Sequence, residues 1–372
     1  MSGQNKSRVV VAMSGGLDSS VAACLLADEG YEVVGITMRL HDAEPTEAER
    51  SRACCSLDMV QDAKGVCDVL GMPHYTVDMR KAFGSAVQQD FVTEYLSGRT
   101  PNPCIRCNSV IKWRGLYQKA QEIGAQYFAT GHHALVVEDP QYNGRVLKCA
   151  TDAKKDQSYA LWGISREHLQ RTLLPIGKMH KSEAREYAER KGLKNAGKAD
   201  SQDICFIPDG DYGRFLQGEQ PEISAQVGEG DIVTMDGSII GRHKGFPYYT
   251  VGQRKGLGIA TGQPQFVVHI DPEQNTLLIG DEGDLYQREC LADQVNWQAM
   301  NPPNEPMRVM VKIRYSDPGA SATIETVDNN QVRVKFDEPR RAITPGQSAV
   351  WYDGDTVIGG GVILRAGLDP RK

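Results

Sequence analysis

The stretch that most constrains this chain is its start. Residues 8–13 carry the unbroken apolar run Val9-Val10-Val11-Ala12, and Ser14-Gly15-Gly16-Leu17-Asp18-Ser19-Ser20 follows at once. Next comes a segment with Val21, Ala22, Leu25 and Leu26 that stops at Gly30. A continuous apolar run suits a strand buried on both faces, as in a parallel sheet covered by helices. A glycine-rich turn between such a strand and a helix can cradle phosphate. Glycines let the backbone come close and take positive φ, and the amides at the helix start point at the anion. Ser14, Ser19 and Ser20 can add hydroxyl donors. The string is not Gly-x-x-x-x-Gly-Lys-Ser/Thr, so it lacks the phosphate-holding lysine of that loop. The plainer reading is a turn capped by Asp18 and Ser19. The full string in this strand–helix setting favours nucleotide binding.

The same alternation continues. Strands are expected over 33–38, 74–77 and 126–130, and helices over 57–70, 83–96 and 112–123. Repeated strand–helix units predict an α/β fold with a doubly wound parallel sheet. Ligands bind such sheets at the carboxyl ends of strands, where Ser14, Met38 and Gly131 fall. After Asp139 the pattern changes. Asn143-Gly144 between Leu135-Val136-Val137 and Val146-Leu147 signals a hairpin. Helices are expected over 167–173 and 181–191. From about Asp209 helices largely vanish, and short strands over 231–279 and 307–362 alternate with turns such as Asp317-Pro318-Gly319 and Pro345-Gly346. That spacing predicts a small β-barrel. The expected division is a catalytic α/β domain over 1–209, a small β-rich central domain over 210–282 and a C-terminal β-barrel over 283–372.

A net charge of −6 gives no global basic field, although a local stripe can still bind phosphates. The first eight residues do not read as a signal or transit peptide, and no apolar run reaches membrane-spanning length, so a cytoplasmic location is expected. Nine cysteines, an odd number, do not read as a disulfide framework. Cys24 and Cys67 sit on apolar helix faces and read as core. Cys54, Cys55, Cys104, Cys107 and Cys205 lie in polar, turn-rich segments. Gly98-Arg99-Thr100-Pro101-Asn102-Pro103-Cys104-Ile105-Arg106-Cys107-Asn108 reads as a proline-braced loop presenting Cys107 near the start of the next helix. A helix start and Arg106 both favour a thiolate. Asp200-Ser201-Gln202-Asp203-Ile204-Cys205-Phe206-Ile207 places Cys205 in a short strand-like segment.

Cys104-x-x-Cys107 supplies two metal ligands where a closed zinc site needs four. An iron–sulfur cluster on three or four of these thiols is the less favoured reading, because paired cysteines also suit thiol exchange. Cys54-Cys55 reads as an exposed loop with incidental thiols in preference to a shield over the site. His132-His133 at a strand end point different ways, which argues for nucleotide or RNA contact over a metal pair. No metal ligand set is assigned. Trp113, Trp162 and Trp297 read as core or interface residues.

Ser14 to Ser19 resembles the signature of PP-loop ATP pyrophosphatases. Members cleave ATP between the α and β phosphates and adenylate a substrate oxygen, which a nucleophile then displaces with AMP. Both cysteine segments, Lys155-Asp156-Gln157-Ser158-Tyr159, Val251-Gly252-Gln253-Arg254-Lys255-Gly256-Leu257-Gly258 and Arg314-Tyr315 follow in order. Together they resemble the tRNA-specific 2-thiouridylases over essentially the whole chain. The resemblance implies ATP and Mg2+, with Asp18 a candidate to help position the metal, and a tRNA whose wobble uridine is adenylated at O2. Cys205 would take sulfur as a persulfide from a donor protein, a cysteine desulfurase or a relay protein. Cys107 would be the nucleophile, and a Cys107–Cys205 disulfide would follow, with the Cys205 segment changing conformation during turnover. Ala12, Met13, Ser14, Gly15, Gly16, Leu17, Asp18, Ser19, Met38 and Gly131 would contact ATP. Asn102, an aspartate in one branch of the family, would face the base. His132, Lys155, Asp156, Gln157, Arg314, Tyr315 and Gln347 would touch tRNA. Arg254-Lys255 and Arg340-Arg341 are weighed toward RNA phosphates, and Tyr315 beside Arg314 toward stacking on an unpaired base. The rivals are an amide-forming synthetase on the same fold, or a non-catalytic nucleotide- or RNA-binding module.

Overall fold

The computed structural model describes residues 6–41, 57–198, 204–223, 227–260, 262–328 and 330–367. Cys54, Cys55 and residues 200–203 of the Cys205 motif lie outside the described residues.

The first strand, β1 (Arg8–Ala12), runs into α1 (Leu17–Asp28) through the glycine turn. Val9, Val10 and Val11 are fully buried, each worth about 1.5–3 kcal/mol of apolar burial. The strands β2 (Glu32–Arg39), β3 (His74–Asp78), β4 (Tyr127–Thr130) and a two-residue strand, Thr172–Leu173, complete a parallel sheet. Its order is β3-β2-β1-β4 and then Thr172–Leu173 at the edge. Chain order reverses between β1 and β4, so the crevice of this doubly wound sheet opens beside the phosphate loop. Helix α2 (Leu57–Val69) covers the sheet on the α1 side, where Ala63, Val66 and Cys67 pack with Val21, Cys24 and Leu26. Two continuous helices, α3 (residues 80–96) and α4 (residues 103–122), pack elsewhere in the domain. Each contains a stretch with π-type turns. Cys24 and Cys67 are core residues as expected, and burial pushes both thiols up to about 11.

Four expectations change. The helix expected to begin at residue 112 begins at Pro103. Asn102 is its N-cap, accepting from the Ile105 amide at 3.3 Å, and proline fits the first helical turn because its missing N–H is not needed there. The prolines read as loop braces are therefore a helix start, and Cys107 lies within the helix. Residues 166–169 form one helical turn, and Thr172 instead joins the sheet beside Phe128, where its hydroxyl accepts from the Trp113 indole at 2.8 Å. Cys205 sits in a turn closed by the Ile207 amide on the Ile204 carbonyl at 2.8 Å, where a strand-like segment was expected. Tyr212–Glu219 is helical, beyond the point where helices were expected to fade.

The hairpin expected around Asn143-Gly144 is present as β5 (Leu135–Asp139) and β6 (Gly144–Lys148), with Asn143 left-handed at φ 52°. The central region forms a four-stranded mixed sheet from β7 (Gly230–Thr234), β8 (Ile239–His243), β9 (Phe266–Asp271) and β10 (Thr276–Gly280), ordered β9-β10-β7-β8. Six strands then close an antiparallel barrel: β11 (Tyr286–Trp297), β12 (Met307–Lys312), β13 (Ala320–Asp328), β14 (Gln331–Arg341), β15 (Ser348–Asp353) and β16 (Thr356–Ala366). Closure comes from β11 pairing with both β14 and β16. The hairpin adds to this barrel, with β6 pairing against β16 through Thr356–Lys148 and Val357–Leu147. One sheet thus bridges the α/β part and the barrel.

Candidate active site

The phosphate loop is held by its own serines. The Ser14 amide donates to Ser19 Oγ at 3.2 Å, and the Ser19 and Ser20 hydroxyls donate to the Gly16 carbonyl at 3.2 and 2.9 Å. Gly15 has φ +71°, and a Cβ there would stand 2.3 Å from the Met59 carbonyl oxygen. Gly131 at the end of β4 lies so close to α1 that a Cβ would meet the Ser19 nitrogen at 2.4 Å. Both positions accept only glycine. Ala12 and Met13 end the strand, the Met13 amide donates to the Ile36 carbonyl at 2.8 Å, and Met38 is buried two residues farther along β2. The residues expected to contact ATP therefore lie together at the carboxyl ends of β1, β2 and β4.

The capping reading of Asp18 does not hold. No side chain caps α1, and the Asp18 carboxylate turns to Lys181, whose Nζ lies 2.7 and 2.8 Å from its two oxygens. His133 Nε2 is 3.4 Å from the same carboxylate. Burial opposes ionisation of Asp18, but His133 and Lys181 outweigh it and hold the carboxyl below its usual range. Asn195 supports the loop, with Nδ2 2.8 Å from Ser20 Oγ and 3.2 Å from the carbonyls of Gly15 and Gly16. Lys181 and Asn195 were missed by sequence reading. Nothing in Lys181-Ser182-Glu183 or Lys194-Asn195 separates them from ordinary polar surface.

From His133 the site extends outward. The His133 amide donates to Gln157 Oε1 at 2.8 Å, and the Gln157 amide returns a bond to the His133 carbonyl. His132 points the other way, with Nδ1 2.7 Å from Thr130 Oγ1 and Nε2 3.5 Å from Lys112 Nζ. Dense packing, with Lys112 and His133 adding to it, holds the His132 imidazole well below the usual histidine range. Lys112 also donates to Asn108 Oδ1 at 2.8 Å, and Asn108 Nδ2 donates to the Ala160 carbonyl at 2.9 Å. Neither residue had been singled out.

Cys107 is buried on α4, and Cys205 packs against the same apolar cluster, half-buried. Cys104, one turn earlier on α4, is exposed. The segment holding Cys205 is pinned by Phe206, whose ring lies 5.7 Å from Phe83, 5.4 Å from Phe91 and 4.9 Å from Phe215.

The residues expected to meet RNA differ in how available they are. Tyr315 is 50% exposed, its ring 6.3 Å from that of Tyr159. Burial of the phenol, then Asp156 and Cys104 nearby, push the Tyr315 hydroxyl up while Lys155 opposes, so these groups share one neighbourhood. Asp156 is turned inward, accepting from the amides of Ala150 and Ser158 at 2.9 and 3.2 Å and from Ser158 Oγ at 2.8 Å. Gln347 reaches the backbone of Thr100 and Pro101, just before Asn102. Arg314 Nη1 donates to the Arg341 carbonyl at 3.2 Å. Arg340 pairs with the buried Asp317, which also accepts from the Ile313 and Gly319 amides and so shapes the Arg314-Tyr315 turn. Arg341 bonds Glu282 at 3.2 Å and lies over the Phe266 ring. The Arg340-Arg341 pair is thus structural first, whereas Arg254 and Lys255 are exposed.

A lysine-free glycine loop at the switch point of a doubly wound sheet, backed by a cysteine-bearing helix, defines a PP-loop nucleotide-using fold. A family model described as "tRNA methyl transferase HUP domain" matches residues 7–209, and models described as "tRNA methyl transferase PRC-barrel domain" and "Aminomethyltransferase beta-barrel domain" match 220–281 and 287–363. Those descriptions name methyl transfer, but relatives matching over nearly the whole chain are named for thiolation. The tRNA-specific 2-thiouridylase MnmA of Clostridioides difficile is 46% identical over 96% of this chain and 98% of its own length. The enzyme of the same name from Heliobacterium modesticaldum is 49% identical over 97% and 93%. A solved U34-tRNA thiolase NcsA from Methanococcus maripaludis with its [4Fe-4S] cluster is 18% identical, covers 59% of this chain and 69% of its own, and has a TM-score of 0.35. The chain belongs to the tRNA-specific 2-thiouridylase family.

Proposed function

We propose that the chain replaces O2 of a tRNA wobble uridine with sulfur, at the expense of ATP. The carrying observation is a run of contacts at the carboxyl end of the sheet, with the His133 ring 3.4 Å from Asp18 and the His133 backbone bonded to Gln157, and with Cys107 and Cys205 set against one apolar cluster. ATP would lie on the loop from Ala12 to Ser19, with Met38 and Gly131 beside it. Uridine O2 attacks the α-phosphorus and pyrophosphate leaves. The outer sulfur of a Cys205 persulfide, or hydrosulfide released from it, then attacks C2, and AMP departs with the oxygen. In the persulfide route Cys107 thiolate attacks Cys205 Sγ, which frees the thiocarbonyl sulfur and leaves a Cys107–Cys205 disulfide. A thiol reductant restores both cysteines. Asn102 cannot act as a base and is assigned to base contact.

Magnesium would neutralise the pyrophosphate. Among the described residues no three His, Cys, Asp or Glu side chains converge as a ligand set. Asp18 is the one carboxylate in the helical turn beside the loop and would help hold an ion that arrived with the nucleotide. Lys155, Arg314 and Tyr315 offer contacts to the tRNA. The sulfur donor is a persulfide-carrying protein, a cysteine desulfurase or relay. A cytoplasmic setting is consistent with described helices that are too short or too polar to cross a membrane. The domains are assigned as 1–209, 210–282 and 283–372, the first two clamping an anticodon stem-loop and the barrel closing over it.

The test is mass spectrometry of tRNA nucleosides after incubation with ATP, magnesium and a persulfide donor. Wild type should form 2-thiouridine with equimolar AMP, and Cys107→Ser and Cys205→Ser should not. Normal thiouridine formation by Cys205→Ser would overturn the persulfide route. Iron and acid-labile sulfide in anaerobically purified protein would replace it with a cluster.

A further inference from the structure

We propose that Cys104 is the resolving thiol of the sulfur-transfer cycle: it attacks the Cys107–Cys205 disulfide left by each turnover and carries that disulfide to the protein surface, where a dithiol reductant reaches it. The inference deepens the thiolation reading and rests on it.

The two cysteines that the reaction uses are the covered ones. Cys107 is buried, and Cys205 is half-buried against the same apolar cluster, beside Phe206, whose ring packs on Phe83, Phe91 and Phe215. A disulfide between them forms beneath apolar side chains. Thiol exchange needs an open approach to one sulfur, so a protein-sized reductant is held off there.

Cys104 is exposed and stands one turn before Cys107 on α4. Cα atoms three residues apart on a helix lie about 5 Å apart, inside the about 4.4–6.8 Å span of disulfides. The Cβ atoms start about 5–6 Å apart and must close to about 4.5 Å or less. The place of Cys104 in the chain allows that. It is the second residue of the helix, behind Pro103 and the Asn102 N-cap. First-turn amides have no acceptor within the helix, so this end yields more readily than the middle. Cys104 also counts among the charges that reach the Tyr315 hydroxyl. A tRNA seated on Tyr315 would therefore screen it until the product leaves.

The exchange balances. Cys104 thiolate attacks Cys107 Sγ, the Cys107–Cys205 bond breaks, and Cys205 leaves with the electron pair as thiolate, ready for the next persulfide. One thiolate of the reductant then attacks the exposed Cys104 Sγ, and Cys107 leaves as thiolate. The second reductant thiol attacks the mixed disulfide, which releases Cys104 and leaves the reductant as a disulfide. Its two electrons and two protons end on the cysteines of this chain.

The experiment starts from full-length reduced protein loaded with persulfide by a cysteine desulfurase and cleared of small thiols. ATP, magnesium and tRNA start one turnover, N-ethylmaleimide stops it, and non-reducing peptide mapping locates the disulfide. Wild type should hold mainly Cys104–Cys107, and Cys104→Ser should hold Cys107–Cys205. With a thioredoxin and its reductase supplying electrons, Cys104→Ser should form thiouridine normally in the first turnover and at least about tenfold more slowly afterwards, and concentrated dithiothreitol should restore its later turnovers. A wild-type disulfide that stays at Cys107–Cys205, or steady turnover of Cys104→Ser at the wild-type rate with thioredoxin, would overturn the proposal. Loss of the first turnover in a folded Cys104→Ser protein would overturn it too, because a resolving thiol acts only after sulfur transfer. The mapping of wild type needs no variant, so it decides the matter if Cys104→Ser misfolds. Wild type that makes thiouridine and keeps its disulfide at Cys107–Cys205 removes this inference and leaves the function standing. Wild type that makes no thiouridine in the first turnover removes the function itself.

Discussion

The side-chain amide of Gln347 donates to the Thr100 carbonyl at 2.9 Å and reaches the Pro101 carbonyl at 3.3 Å. The Thr100 amide answers with a bond to the Pro345 carbonyl at 2.8 Å. A barrel turn therefore holds the chain directly ahead of Asn102, the N-cap of the helix that carries Cys104 and Cys107. Gln347→Leu removes the donor and leaves two carbonyls without it. We expect thiolation turnover to fall about tenfold or more through misplacement of that helix start, with ATP affinity unchanged. Single-turnover kinetics at saturating tRNA separates this from lost tRNA contact, which would raise KM and spare kcat.

Asn195 holds the phosphate loop from below. One side-chain nitrogen serves the Gly15 and Gly16 carbonyls and the Ser20 hydroxyl in a buried setting. Asn195→Ala takes its donor from the buried Gly15 carbonyl, while the Gly16 carbonyl keeps the Ser19 and Ser20 hydroxyls, a loss of about 1–3 kcal/mol. Urea unfolding should show that loss, and ATP should bind more weakly because the loop amides are less fixed. An unchanged unfolding midpoint would mean that water replaces the amide.

The parallel sheet and phosphate loop were legible because each rests on local pattern. Val9 to Val11 must be buried, and glycine is demanded at Gly15 by positive φ and a neighbouring carbonyl. The start of α4 was misread because two prolines suggested a loop, although Pro103 behind Asn102 is also a helix-start pattern. The partners of Asp18 were illegible in principle. Lys181 and His133 reach it from 163 and 115 residues away, and no local rule reports a contact made by tertiary packing. Asp156 and Gln347 show the same limit, since the family resemblance names them but only the fold shows that their polar atoms brace the protein.

The barrel and the α/β part are joined by buried amides as well as by the β6–β16 pairing. Gln298 is fully buried, and its Nε2 donates to the carbonyls of Leu161 and Ile164, each at 3.0 Å. Asn296 Nδ2 serves Trp162 and Ile164 at 2.7 and 2.9 Å. Gln298→Leu keeps the volume and deletes the donor, so we expect about 1–3 kcal/mol of destabilisation. Denaturant unfolding followed by tryptophan fluorescence should show one shifted transition if the interface is cooperative, and two separated transitions if the barrel detaches first.

His132 makes stability depend on pH in a definite direction. Its ring is packed against Thr130 and Lys112, and protonation would place a second cation beside the Lys112 ammonium. The folded protein therefore holds this imidazole neutral at pH values where the unfolded chain has taken a proton. Above the unfolded value of about 6.5 neither state is protonated and His132 contributes nothing to pH dependence. As pH falls below that value the unfolded state binds the extra proton, so stability drops by up to about 1.4 kcal/mol per pH unit until the folded-state pKa is reached. His132→Gln can keep the bond to Thr130 without this titration. The wild-type protein should lose stability relative to the variant between pH 7 and pH 5, read from urea midpoints at half-unit steps. A difference that stays constant with pH would mean that the imidazole protonates freely in the fold and that Lys112 does not oppose it.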